Sequence, residues 1–155
     1  MCNLNILITT KPSYADYSQF MDRVTTLSYE NNQDADGVYF SGTSKLYKST
    51  FKLNYLEYVE DFDNSNFVIS HQRMSTSGYD EDNHQPFNDS EFVLAHNGVL
   101  GGKGTTEKSD TREVFDEITK VFNELWLEES ADRETCIIST IRTVFKNQTG
   151  SYSIA

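Results

Sequence analysis

Twenty-four acidic against thirteen basic residues give this 155-residue chain a net charge of −11, and such a surface excludes nucleic acid and anionic membranes as main partners because both repel it. The length suits one domain, residues 1–155, burying about two-thirds of the surface exposed by the unfolded chain, with ten Phe and nine Tyr as bulky core material. A small neutral or zwitterionic ligand is compatible with the charge. Two cysteines make no disulfide framework, and with neither a signal-peptide pattern nor an apolar run near about 18 residues the chain reads as soluble and cytoplasmic.

The chain opens on Met1-Cys2-Asn3. Cysteine is small enough to permit removal of the initiator methionine, and a terminal Cys2 would carry both a thiol and a free α-amine. That amine, with a reference pKa of about 7.7–8.0, is poised to take the thiol proton. The competing reading is an ordinary cysteine near a terminus. Leu4 to Thr10 predicts a buried strand that holds Cys2 at its tip. From Pro12-Ser13 a helix is expected, with Ser13 and Asp16 at capping-box spacing and Tyr17, Phe20, Met21, Val24 and Leu27 as its apolar stripe, ending near Asn31-Asn32-Gln33. Asp34-Ala35-Asp36-Gly37 reads as a turn into Val38-Tyr39-Phe40, which forms a hairpin with Lys45 to Phe51, and Leu53 to Val59 as a short helix.

Two apolar strands in the middle run straight into polar residues. Phe67 to Ser70 enters His71-Gln72-Arg73-Met74-Ser75-Thr76-Ser77-Gly78, and Phe92 to Ala95 enters His96-Asn97-Gly98. The polar loop between them, Tyr79 to Ser90, contains His84-Gln85-Pro86-Phe87. Gly101-Gly102-Lys103-Gly104 has the wrong spacing for a phosphate loop. A helix opens at Asp110, with Glu113 three residues on and Val114, Phe115, Ile118, Val121, Phe122, Leu125 and Trp126 as core. A second carries Ile137, Ile138, Ile141, Val144 and Phe145 on its buried face, beside Cys136 as a small core residue. Gly150 to Ala155 begins a strand. Three histidines without clustered Cys or carboxylates give no case for a metal or other cofactor.

Taken in order, these motifs resemble the class II glutamine amidotransferases of the N-terminal nucleophile hydrolase superfamily. Cys2 holds the family's nucleophile position. His71 to Gly78 is similar to its GHTRxATxG segment, His84-Gln85-Pro86-Phe87 to NAQPF, His96-Asn97-Gly98 to HNG, Ser109-Asp110-Thr111 to the start of SDTE, and Asp34 to Gly37 more loosely to RGxDSAG. Departures are Asn3 in place of glycine after the nucleophile, Met74 and Ser77 in place of commoner residues, and Arg112 where SDTE has its glutamate.

The resemblance implies an α+β fold, the four-layer αββα sandwich, incomplete at its C-terminus, and hydrolysis of the glutamine side-chain amide to glutamate and ammonia through a Cys2 thioester. It further implies Asn97 and Gly98 as oxyanion donors, and a substrate-binding set of Arg73 for the α-carboxylate, Asp110 for the α-ammonium, and Thr76 and Ser77. L-glutamine would be the ligand, with ammonia passed to a synthase domain or subunit. Alone, Asn97-Gly98 also fits a type I′ hairpin turn, Arg73 a surface salt bridge and Asp110 a helix N-cap. His71 and His96 read as structural hydrogen-bonders. A fragment, a free-standing glutaminase subunit and a shortened inactive relative all stay open, as do a different N-terminal-nucleophile amidohydrolase and a non-catalytic binding domain.

Overall fold

The computed structural model describes residues 2–9, 15–128, 132–146 and 149–154; Met1, the Pro12-Ser13 segment and Ala155, on which some expectations fall, lie outside them. The chain is a mixed α/β structure with four α-helices and antiparallel sheets among these residues. Strands β1 (Asn3–Ile8), β2 (Ala35–Phe40), β3 (Lys45–Ser49) and β4 (Phe67–Arg73) form one sheet in the order β1-β4-β2-β3. Its register pairs Asn3 with Gln72, so Cys2 arrives beside the end of β4.

Helix α1 (Ala15–Tyr29), the 3₁₀ turn Tyr55–Tyr58 and helix α2 (Val59–Asp63) cover one face of that sheet. Met21, Val38, Phe40, Tyr55, Phe62 and Val68 interlock there as a core. A second core forms from Phe87, Leu94, Leu100, Val114, Phe115, Ile118 and Val144. It joins the short pair β5 (Phe87–Asn88) and β6 (Val93–Leu94), the ribbon of β7 (His96–Gly101) with β8 (Thr149–Ile154), and helices α3 (Asp110–Glu128) and α4 (Arg133–Phe145). Asp132 caps α4 by accepting from the Thr135 N–H at 3.0 Å.

Several contacts tie the halves together, two of them at β4 and β2. The His71 Nε2–H donates to the His96 carbonyl at 3.1 Å. At Gly37 the backbone of β2 comes so near the loop before β5 that a Cβ would lie 2.0 Å from the Gln85 carbonyl oxygen, a space that only glycine leaves open.

Several expectations change. The Asp34–Gly37 turn is already strand from Ala35, because β2 is flanked by both β3 and β4 and every residue from Asp36 on finds a ladder partner. β4 continues through His71, Gln72 and Arg73, since β1 and β2 pair with it on both sides. The helix expected from Leu53 begins as the 3₁₀ turn at Tyr55. The strand expected over Phe92–Ala95 is reduced to Val93–Leu94, and a new strand starts at His96.

The buried line of α1 runs through Ser18, Met21, Thr25 and Ser28, while Phe20 and Leu27 face solvent at 56% and 66% exposure. The small hydroxyl residues lie close against the sheet side, and Thr25 satisfies its hydroxyl on the Met21 carbonyl at 2.7 Å. Trp126, expected in the core, is 47% exposed and stacks on Phe122; Ile138 and Ile141 also reach the surface, whereas Cys136 is fully buried. No helix among the described residues is long and apolar enough to cross a membrane.

Candidate functional site

The junction of the two halves opens into a cavity of about 390 Å³ lined by Cys2, Arg73, Met74, Thr76, Ser77, Gln85, His96, Asn97, Gly98, Val99, Ser109, Asp110 and Thr111. Every candidate site residue from the sequence is in this lining: Cys2, Arg73, Thr76, Ser77, Asn97, Gly98 and Asp110. They come from β1, the end of β4 and its following loop, β7 and the first turn of α3.

Cys2 is partly exposed, and its sulfur receives the Met74 N–H at 3.3 Å and lies 3.4 Å from the Met74 carbonyl oxygen. The β1–β4 ladder thus carries the thiol to the cavity and the loop leaving β4 holds it there. Asp34 anchors that loop from the other side, accepting from the Ser75 N–H at 2.5 Å and donating its own N–H to the Arg73 carbonyl at 3.1 Å.

Arg73 is 3% exposed, which removes the surface salt bridge as its explanation. One guanidinium nitrogen, Nη2, donates to the Ser77 carbonyl, while Nη1 is buried with no hydrogen-bond partner among the described residues. Burial lowers the guanidinium pKa, and the groups that oppose this are Cys2, Asp34, Asp110 and Tyr79. A delocalised guanidinium keeps its charge under such burial, so the cavity wall holds a cation with one buried nitrogen unpartnered among the described residues.

Asp110 does not cap α3; Ser109 does, accepting from the Arg112 N–H at 3.2 Å. The Asp110 carboxylate instead spans the cavity wall. Oδ2 accepts from the Leu100 N–H of β7 at 2.9 Å, and Oδ1 accepts from the Thr111 N–H at 2.7 Å and the Thr111 hydroxyl at 3.2 Å. A cation and a carboxylate therefore line one small concave space, an arrangement matched to a zwitterion.

Asn97 and Gly98 lie within β7, opposite Ser153 and Tyr152 of β8, so the hairpin-turn reading does not hold. Gly98 has φ 141°, in the positive region that favours glycine. Asn97 is partly buried in the cavity lining.

His71 is fully buried, and burial together with the Arg73 charge lowers its pKa to about 3. A neutral ring donating from Nε2 to the His96 carbonyl is a structural brace. His96 Nδ1 meets the Thr111 hydroxyl at 3.0 Å, and burial lowers its pKa too. Both histidines are hydrogen-bonders, as read from the sequence. Among the described residues no group of three or more His, Cys, Asp or Glu is placed to hold a metal ion.

Gln85, Ser109 and Thr111 line the cavity without having been assigned roles from the sequence. Neighbouring Asn83, at the mouth of the same loop, accepts from the Ser109 N–H at 2.7 Å and donates to the Glu107 carbonyl at 2.8 Å, fixing the start of α3. The available signal was motif membership, since Gln85 belongs to the NAQPF-like segment and Ser109 and Thr111 to the SDTE-like one, whereas Asn83 lies just outside the former. Arg112, the departure in that segment, is outside the lining and ion-pairs with Asp116 at 3.0 Å.

No known family's sequence pattern matches this chain, and no curated protein sequence does. Its fold is similar to that of the glutamine phosphoribosylpyrophosphate (PRPP) amidotransferase from B. subtilis, solved in complex with ADP and GMP, with a TM-score of 0.52 and 16% sequence identity. The likeness covers 99% of this chain and 34% of that enzyme, so this chain corresponds to about a third of its length. At that identity the likeness is one of fold.

Proposed function

We propose that this chain is a glutamine-hydrolysing amidotransferase domain of the four-layer αββα type, releasing ammonia for a synthase domain or subunit. The observation that carries the reading is convergence: Cys2, Arg73, Asn97, Gly98 and Asp110, far apart in sequence, line one cavity that holds opposite charges. The free thiol of Cys2 fits a reducing, cytoplasmic setting.

In this reading the Arg73 guanidinium receives the substrate α-carboxylate, and Asp110 receives the α-ammonium. The Cys2 thiolate, its proton held by the α-amine of the same residue, adds to the side-chain amide carbon and forms a C–S bond. The resulting oxyanion is met by the Asn97 amide and the Gly98 N–H. The intermediate collapses with cleavage of the C–N bond, the departing nitrogen taking the proton from the α-amine and leaving as ammonia. Water then adds to the thioester, and glutamate leaves as the thiol re-forms.

Intact-mass measurement before and after exposure to a glutamine-analogue electrophile tests this. The expected result is a chain lacking Met1 that gains one adduct at Cys2, and a Cys2→Ser variant that gains none and has no detectable glutaminase activity. Near-normal turnover by a protein that retains Met1 or an N-terminal tag would sink the mechanism. Modification of Cys2 with cleavage of other amides only would favour a different amidohydrolase of the same superfamily.

A further inference from the structure

The loop before β5 sends one side chain between the two walls of the cavity. Gln85 is 5% exposed and belongs to no strand or helix. Its Oε1 accepts from the His96 N–H at 2.6 Å, at the point where β7 begins, and its Nε2 donates to the Thr111 hydroxyl at 3.2 Å, in the first turn of α3. The hydroxyl also contacts His96 Nδ1 at 3.0 Å and donates to Asp110 Oδ1 at 3.2 Å. Asp110 Oδ2 returns to β7 through the Leu100 N–H at 2.9 Å. The circuit closes on itself.

We propose that Gln85 and Thr111 form a positioning staple that fixes the β7 wall, with Asn97 and Gly98, against the α3 wall, with Asp110. The inference rests on the glutaminase reading for its consequence in catalysis. Its physical basis is that a primary amide presents an acceptor and a donor on one rigid plane, so a single Gln85 rotamer sets the spacing of two elements that the chain joins only through the loop over residues 102–109. Gly37 is what admits the staple, since any side chain there would strike the Gln85 carbonyl. Within the circuit the Thr111 hydroxyl has one proton, and with Gln85 donating to its oxygen that proton goes to the Asp110 carboxylate. Asp110 is thereby aimed as an ammonium acceptor.

The test compares Thr111→Val, which removes the hydroxyl at nearly constant volume, with Thr111→Ser, which keeps it, and with Gln85→Met. Amide hydrogen exchange supplies a readout independent of activity: exchange at His96 and Leu100 should accelerate about tenfold in Thr111→Val and Gln85→Met, the scale of one lost buried hydrogen bond, and recover in Thr111→Ser. On glutamine, Thr111→Val should raise KM about tenfold with kcat changed by less than about threefold, while the relative loss is absent for the analogue that lacks the α-amino group, because only the ammonium contacts Asp110. Unchanged exchange at both amides overturns the staple even if glutamine is hydrolysed. Accelerated exchange in the variants of a protein whose wild type neither hydrolyses nor binds glutamine overturns the functional reading and with it the catalytic role of the staple. Equal losses on glutamine and on the des-amino analogue overturn the aim at Asp110.

Discussion

Strand β4 presents two faces of the same sheet to different neighbours, and their polar groups are treated differently. Toward α1, Gln72 is fully buried and fully engaged: Nε2 donates to Asp36 Oδ1 at 2.8 Å and Oε1 accepts from the Asn5 amide at 2.8 Å. Asp36 also accepts from the Tyr55 hydroxyl at 2.8 Å and the Leu53 N–H at 3.0 Å. Burial pushes the Asp36 carboxyl up, and the bonds from Gln72, Leu53 and Tyr55 and the charge of Lys52 oppose the shift. On the opposite face, His71 and Arg73 each bury a nitrogen with no hydrogen-bond partner among the described residues, and of the two only Arg73 lines the cavity. A buried polar group without a partner costs stability. The face toward α1 is closed by hydrogen bonds, and the opposite face leaves two buried nitrogens without one among the described residues.

The sharpest test on the cavity side is Asn97→Ala, in the β7 wall. If the amide meets charge only in the transition state, kcat falls about 10²–10³-fold while KM and Tm change little. A destabilised variant with normal turnover would return Asn97 to a structural role and dissolve the distinction.

On the closed face, Tyr55→Phe removes the hydroxyl donated to Asp36 and leaves a buried carboxylate short of one donor. The expected loss is about 1–3 kcal/mol, lowering Tm by about 2–4 °C per kcal/mol for a chain of this size, with KM for glutamine unchanged. Denaturant titration and steady-state kinetics on the same preparation check both halves. A KM shift as large as the stability loss would mean that the two faces are coupled.

Arg73→Lys keeps the charge and removes the fork. KM for glutamine should rise about tenfold, the loss of one charge-assisted hydrogen bond, with a smaller change in kcat. An unchanged KM would take Arg73 out of ligand binding.

The smallest effect concerns pH. Folding lowers the His71 pKa from 6.5 to about 3, by burial first and by Arg73 second. Below pH 6.5 the unfolded chain takes up a proton that the folded chain refuses until near pH 3, so this histidine's contribution is whole above 6.5 and shrinks as pH falls. Compared with His71→Gln, which keeps a donor for the His96 carbonyl but cannot titrate, the wild type should lose about 1–2 kcal/mol of its relative stability between pH 6.5 and 5, at about 1.36 kcal/mol per unit. A constant gap across that range would mean that the ring is protonated in the folded state or exposed to water.

Local chemistry is legible in the residues themselves. The stripe Val114, Phe115, Ile118, Phe122 predicts α3 because a 3.6-residue period needs no partner to be recognised. The alternation and flanking turns predict the β2–β3 hairpin for a similar reason. Cys2, Arg73, Asn97 and Asp110 were legible as a set because each sits in a short motif whose order along the chain is preserved. Other features depend on what a segment packs against. Asn97-Gly98 has the composition of a turn and becomes strand because β8, more than fifty residues later, pairs with it. Trp126 and Ile138 continue apolar periods that the neighbouring layers do not cover over their whole length. Gln85, 11 residues from His96 and 26 from Thr111, meets both at hydrogen-bond distance. The sequence by itself determined which residue types were present for the chemistry and which segments were helical, because those follow from covalent spacing and side-chain period. Tertiary structure alone decided that Arg73 keeps an unpartnered arm, that Ser109 rather than Asp110 caps α3, and that one glutamine spans the cavity walls. Hydrogen-bond partnership between distant segments is a property of where the backbone places them, and local composition carries no trace of it.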